Sequence, residues 1–277
     1  MHSSEDQPGR RSKLALLLRL LLKNPVEFRD RVLTVAEFHA DRLRPKATIV
    51  PMERDALMHQ LEAYLGGKLH SFLNEPALSE IENEVFQKQR RVIERPVFET
   101  YHDADFLLAR LCYALCRLQK PEVVVETGVG YGVTSAFMLQ ALSMNNKGQL
   151  WSIDLSPLAQ GADAQVGCLI PASVRSRWHL LRGRTRRLLP PLMAQLSSVD
   201  IFLHDSLHTY RNMTWEFRTV WPKLKAGGVL LSDDIDMNRA FEEFATHSSK
   251  VELFAAGKQD NKSSLFGIAI KARASRV

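Results

Sequence analysis

With 277 residues, 45% hydrophobic and 25% charged, the chain can bury one large α/β domain plus an accessory piece, and its composition is that of a soluble globular protein. The formal net charge of +6 is modest for this length; it permits anionic partners and equally suits a solvated surface. Cys112, Cys116 and Cys168 form no CxxC and exclude a paired disulfide framework, which fits a reducing cytoplasm.

Residues 1–12 are polar and read as a disordered tail. The run LALLLRLLL, Leu14 to Leu22, is too short to span a bilayer and is interrupted by Arg19, so no transmembrane segment is expected. Arg10-Arg11 precede it, yet no small-residue cleavage site follows. From 13 to 95 apolar residues recur three or four apart in KLALLLRLLL, PVEFRDRVLTVAEFHADRLR and ERDALMHQLEAYLGGKLHSFL, punctuated by Pro25, Pro45, Pro51 and Pro76. This part is expected to form a helical extension that packs over the following domain as a lid or joins two copies into a homo-oligomer. Cys112 and Cys116, four apart in an apolar run, should pack as small hydrophobes.

In the remaining domain, 96–277, strands and helices alternate. EVVVE, QLWSID, WHLLRG, VDIFLHD and GGVLLSDD read as five strands with helical stretches between them, which implies parallel βαβ units. VELFAA and SLFGIAIKA follow with only GKQDNKS between them, a gap that suits an antiparallel hairpin.

Chemistry concentrates at strand ends. In VVVETGVGYGVTS, Gly128, Gly130 and Gly132 allow a tight turn and a close backbone approach ahead of a helix N-terminus. A dinucleotide fingerprint would want glycine where this chain has Val133, and Glu126 at the strand end would repel a pyrophosphate. Asp154 ends the second strand at about the 20-residue spacing of an acid that binds ribose hydroxyls. The pattern asks for a nucleoside without phosphate and with positive charge, which S-adenosylmethionine satisfies. Asp154 can alternatively cap the segment after it.

The stretch IFLHDSLHTYRNM places Asp205 and His208 three residues apart where a strand gives way to a helix, and Asp233-Asp234 close the next strand. Three carboxylates on one sheet edge repel unless a cation or proton intervenes, so Asp205, Asp233 and Asp234 are candidate ligands for a hard divalent ion, Mg²⁺ first. The alternative is that they cap a helix and orient backbone without metal. His208, with an ordinary pKa of about 6.5, is placed to take a proton from a hydroxyl. Strand alternation turns His204 to the other face, as a packing residue, and Tyr210 either lines the pocket or joins the core.

ETGVGYG, SID, HDSLHTY and PKLKAGGVLLSDD resemble the class I S-adenosylmethionine-dependent methyltransferases, and within them the small-molecule O-methyltransferase branch; the likeness covers about Phe98 to Ala272. It implies a Rossmann-like, doubly wound seven-stranded sheet with an antiparallel last strand, in addition to the N-terminal helical extension. It also implies cofactor contacts from Glu126, the turn Gly128–Gly132 with Tyr131, Asp154 and Asp205, and metal ligation after strands four and five. His208 falls where catechol-type members carry a catalytic lysine. The chain departs from the family at RGRTRR, where Arg184 stands in place of an acid that would touch adenine; the arginines at 182–187 are either a solvated helix start or a contact for an anionic substrate.

The activity expected is methyl transfer to a hydroxyl of a small-molecule acceptor, a sugar or natural-product intermediate. Metal-independent transfer to another acceptor and non-catalytic nucleoside binding are the alternatives. No nucleic-acid-binding module and no Asn-Pro-Pro-Tyr-like tetrad for amino-group methylation occur in the sequence.

Overall fold

The computed structural model describes residues 8–41, 43–93, 105–247, 251–258 and 264–273. In chain order the helices are α1 (Pro8–Lys23), α2 (Pro25–Asp41), α3 (Arg54–Leu65), α4 (Leu69–Leu73), α5 (Pro76–Ile93), α6 (Phe106–Gln119), α7 (Val133–Met144), α8 (Ala162–Gln165), α9 (Thr185–Gln195), α10 (Tyr210–Val220) and α11 (Ala240–His247). The strands are β1 (Val123–Thr127), β2 (Gln149–Asp154), β3 (Trp178–Arg182), β4 (Val199–His204), β5 (Leu224–Ser232), β6 (Val251–Gly257) and β7 (Leu265–Lys271). They pair in the order β3-β2-β1-β4-β5-β7-β6, with β7 antiparallel to both neighbours. The sheet is therefore the Rossmann-like, doubly wound one expected.

Period-two alternation splits the core into two layers. Val124, Ile201, Leu203, Val229, Leu231, Ile268 and Ile270 face α3 to α7, while Val125, Phe202, Leu230 and Ala269 face α9, α10 and α11. Cys112 and Cys116 are fully buried on α6, as expected of small hydrophobes.

Three local expectations change. The first helix starts at Pro8, inside the stretch read as a disordered tail; a proline fits a first helical turn, where its missing N–H is not needed. Residues 1–7 and the boundary at 95/96 lie outside the described residues. ERDALMHQLEAYLGGKLHSFL is two helices, because Gly66 takes a left-handed conformation (φ 71°) and its N–H returns to the Glu62 carbonyl, closing α3. The N-terminal helices also share the main core: Leu57, Leu61, Leu69, Leu78 and Val85 belong to the same apolar cluster as β1 and β4. Among the described residues no helix is long and apolar enough to cross a membrane.

Strand order reverses between β1 and β4, so a crevice forms beyond their carboxyl ends. The edge is tied shut from below by Asp205 N–H to the Thr127 carbonyl (2.8 Å) and Gly128 N–H to the Ile153 carbonyl (2.8 Å).

Candidate active site

The turn after β1 is built on left-handed glycines: Gly128 (φ 84°), Gly130 (φ 54°) and Gly132 (φ 95°). A Cβ on Gly128 would lie 1.9 Å from the Asp205 carbonyl oxygen, so that position must be glycine for β1 and β4 to end side by side. The Oδ2 atom of Asp154 accepts the N–H groups of Val129 (2.9 Å) and Gly130 (3.2 Å) and fixes the turn. Its Oδ1 is buried without a partner, and so is Arg182 Nη1, which faces it at 4.0 Å. A ligand hydroxyl placed between them would satisfy both atoms.

Two expected cofactor contacts do not reach the crevice. Glu126 is fully enclosed, and its oxygens accept from the hydroxyls of Thr134 (2.8 Å), Ser135 (2.7 Å) and Ser152 (2.8 Å). Burial raises its pKa to about 7 although the three hydroxyls oppose the shift. It braces β1 against α7 and β2 and does not meet a cation in the cleft. Tyr131 is 3% exposed and packs in the apolar cluster. Hydroxyls on α7 and β2 turn Glu126 inwards, and Tyr131 joins the apolar cluster that α7 shares.

The arginines after β3 have partners that lie far away in sequence. Glu37 on α2 receives Arg184 and Arg186 (3.2 Å) together with Thr209 Oγ1 (3.0 Å). Asp30 pairs with Arg187 (2.8 Å), Arg31 donates to the Ser156 carbonyl (2.8 Å), and Asp41 accepts the Tyr210 N–H (2.6 Å). One face of α2 is thus clamped across the ends of β2, β3 and β4. The cluster is neither a bare solvated helix start nor free to meet a substrate at Arg184.

At the β4–β5 corner, the imidazole of His208 sits between two carboxylates, Nε2 at 3.7 Å from Asp205 and Nδ1 at 3.5 Å from Asp234. Burial lowers its pKa to about 4, against the pull of Asp234, so the ring is neutral at neutral pH. Its Nε2 is buried without a hydrogen bond, as is Asp233 Oδ1. Burial and then Asp233 push the Asp205 carboxyl well up, and burial brings Asp233 to about 6.

The cation that the three aspartates require is present in part as Lys258, whose Nζ donates to Asp233 (2.8 Å) and Asp234 (2.6 Å). Burial opposes the lysine's charge, but the two aspartates outweigh it and its pKa rises. The expected trio of Asp205, Asp233 and Asp234 does not converge. Among the described residues the ligand atoms within 4.8 Å of one another belong to Asp205, His208 and Asp233. This donor set fits a divalent cation, with His208 in place of Asp234.

Sequence reasoning passed over Lys258 because GKQDNKS read only as a hairpin connection. The available signal was topological: β6 runs parallel to β5, so the residue after β6 emerges on the same edge as Asp233. Glu216 was also missed. It is fully buried and accepts from Thr127 (2.6 Å), Ser206 (2.9 Å) and Asn212 (2.8 Å), while His204 Nδ1 lies 2.7 Å from it. Burial opposes its charge, yet His204 and the hydroxyl donors bring its pKa down to about 2. His204 is buried and packs edge-on to His208, with ring centroids 5.3 Å apart. The Tyr210 hydroxyl is spent on Glu243 (2.5 Å).

Strand order, the glycine turn and the acid closing β2 together define the class I S-adenosylmethionine-dependent methyltransferase fold. Residues 125–235 match the family model described as a methyltransferase domain, and the protein is an S-adenosylmethionine-dependent methyltransferase. No curated protein matches the chain. Among solved structures it is similar to the O-methyltransferase TomG of Streptomyces achromogenes, involved in tomaymycin synthesis and solved with the cofactor: 17% identity, 80% of this chain and 100% of that one, TM-score 0.54. It is similar also to the Podospora anserina methyltransferase PaMTH1 bound to S-adenosylhomocysteine, at 14% identity over 82% of this chain and 100% of that one, TM-score 0.53. The Bacillus cereus O-methyltransferase, likewise bound to the product, matches at 15% identity over 78% and 97%, TM-score 0.51. At these identities the likeness carries the fold.

Proposed function

We propose that the protein methylates a hydroxyl of a small molecule, a sugar or natural-product intermediate, at the Asp205–His208–Asp233 corner. The observation that carries this reading is the neutral His208, whose buried Nε2 has no partner at the carboxyl edge of the sheet. The similarity to TomG, an O-methyltransferase involved in tomaymycin synthesis, supports an oxygen acceptor.

S-adenosylmethionine would be held by the Gly128–Gly132 turn, by the free Oδ1 of Asp154 and by Asp205, and it supplies an electrophilic methyl group. A proton on Nδ1, facing Asp234, leaves the Nε2 lone pair of His208 to take the acceptor's proton as its oxygen bonds to carbon. Lys258 pairs with both Asp233 and Asp234 and offsets part of their charge, so the corner holds its shape without drawing that proton away. The clamped face of α2 covers the cofactor edge and excludes water.

The close approach of Asp205, His208 and Asp233 supports a second reading, in which these residues hold Mg²⁺ or another divalent ion that would polarise the hydroxyl. Then His208 Nε2 is a ligand and not the base. Turnover with a hydroxyl acceptor, measured after exhaustive chelation, separates the two. Full activity in chelator, together with a loss of about 10²–10⁴-fold in His208→Ala, supports the base. Activity lost to chelator and restored by metal supports the ion. Failure to release S-adenosylhomocysteine with any hydroxyl acceptor overturns both.

Leu22, Val35 and Phe38 on α1 and α2 are exposed, which supports self-association through these helices. Light scattering of the full chain should give a mass above 31.4 kDa, and a strict monomer refutes it.

A further inference from the structure

Helix α10 presents two faces. Met213, Phe217 and Val220 are buried against the sheet, whereas Arg211 and Arg218 are exposed and Trp215 lies half-buried between them on the outer face. Arg186 from the first turn of α9 and Arg44 beyond α2 approach the same face. With Tyr210 they enclose a groove of about 440 Å³, within the range of small-molecule sites.

The aromatic rings fix the cations. The Arg186 guanidinium lies 4.9 Å from the Trp215 ring centre and that of Arg44 4.4 Å from the Tyr210 ring. A stacked guanidinium directs its N–H groups edge-on, a geometry that suits a planar or tetrahedral oxyanion and that lysine could not match; Arg186 already uses Nη2 for Glu37 and the Arg211 carbonyl (2.9 Å). Charge is also unbalanced. Arg44 and Arg186 lean on Asp41 (3.1 Å) and Glu37 (3.2 Å), but Glu37 is already shared with Arg184. Arg211 and Arg218 have no acidic partner among the described residues. The groove lies on the face of α10 turned away from Glu216 and the His208 corner, so methyl transfer does not use it.

We propose that this groove binds a small diphosphate-bearing anion, either the diphosphate of a nucleotide or free pyrophosphate. Four guanidiniums converging on one cavity suit a compact ligand; a nucleic acid would call for cations strung along a track. Bound phosphate would replace Asp41 and Glu37 as the counter-ion of Arg44 and Arg186, and so would loosen the grip of α2 on the cofactor edge.

The test is calorimetric titration of the full chain with pyrophosphate, and separately with ADP, at about 0.15 M salt. Saturating S-adenosylhomocysteine keeps the nucleoside site closed to ADP. Saturable one-to-one binding is expected, weakened about tenfold or more in Arg211→Ala/Arg218→Ala, because each charge-assisted bond is worth at least that factor. Both side chains are exposed, so the variant should melt like the parent and keep its S-adenosylhomocysteine affinity. Tighter binding of ADP than of pyrophosphate would support the nucleotide source, and equal or tighter binding of pyrophosphate the free pyrophosphate. The proposal is overturned by no saturable binding of either, by unchanged affinity in the double variant, or by sulfate binding as tightly as pyrophosphate. Binding of a single-stranded oligonucleotide in proportion to its length, with no pyrophosphate binding, would also overturn it.

Discussion

The carboxylates of this fold lie at two depths, and the two sets behave differently. Beneath the edge, Glu126 and Glu216 are fully buried, and donors surround them: three hydroxyls around Glu126, and hydroxyl, amide and imidazole groups around Glu216. On the rim, Asp154 and Asp233 each leave one buried oxygen unpaired, and Asp205 faces an unpaired imidazole nitrogen. A buried polar atom without a partner is costly, so natural folds keep few of them. The filled set is scaffolding, and the unfilled oxygens of the rim support our proposal that ligand atoms meet it there.

The comparison is most easily broken at Glu216. Replacing it by alanine strands Thr127, His204, Ser206 and Asn212 around an empty acceptor position, and should cost about 3–5 kcal/mol of stability. Glu216→Gln, which keeps an acceptor, should cost less. Its pKa is depressed to about 2, so the contribution is fully present above the ordinary 4.5 and is lost as pH falls towards 2. Urea unfolding at pH 7 and at pH 3 checks both. An alanine variant as stable as the parent would mean that the carboxylate beneath the corner braces nothing.

The rim should respond in binding and not in folding. Asp154→Asn keeps an oxygen for the Val129 and Gly130 N–H groups but removes the charge from the unpaired position. S-adenosylmethionine affinity should fall by about 1.5–3 kcal/mol, the scale of a charged hydrogen bond, with little change in melting. Equal calorimetric affinity in the two proteins would remove Asp154 from the cofactor site.

What the sequence made legible follows the same division. The strands, the sheet class and the rim residues Gly128, Asp154, Asp205, His208 and Asp233 are local features, carried by alternation, glycine spacing and position at a strand end. The partners that decide their chemistry are distant: Glu37 is 147 residues from Arg184, and Lys258 is 25 from Asp233. No period or spacing encodes such pairs, because they arise only when the sheet order brings separate strand ends to one edge. Glu126 was misplaced for a related reason. A carboxylate at a strand end can face the cleft or the helix behind it, and the hydroxyls of Thr134, Ser135 and Ser152 decide for the helix.

That last assignment is read in stability alone. Glu126 titrates near 7 in the folded chain and near 4.5 unfolded. Between these values the unfolded chain has released a proton that the folded chain still holds, so ν_U is below ν_N and stability falls as pH rises. Below about 4.5 both states are protonated and the group contributes no pH dependence; above about 7 the penalty is complete. Glu126→Gln cannot ionise, and its amide can still meet the three hydroxyls, which rotate to donate or accept. Between pH 5 and pH 8 the variant should therefore gain on the parent by about 2.5 kcal/mol. Thermal melts of both proteins at the two pH values measure this gain. A carboxylate that faced a cofactor cation in the cleft would give the opposite pattern, with the variant losing S-adenosylmethionine affinity and gaining nothing in stability at pH 8.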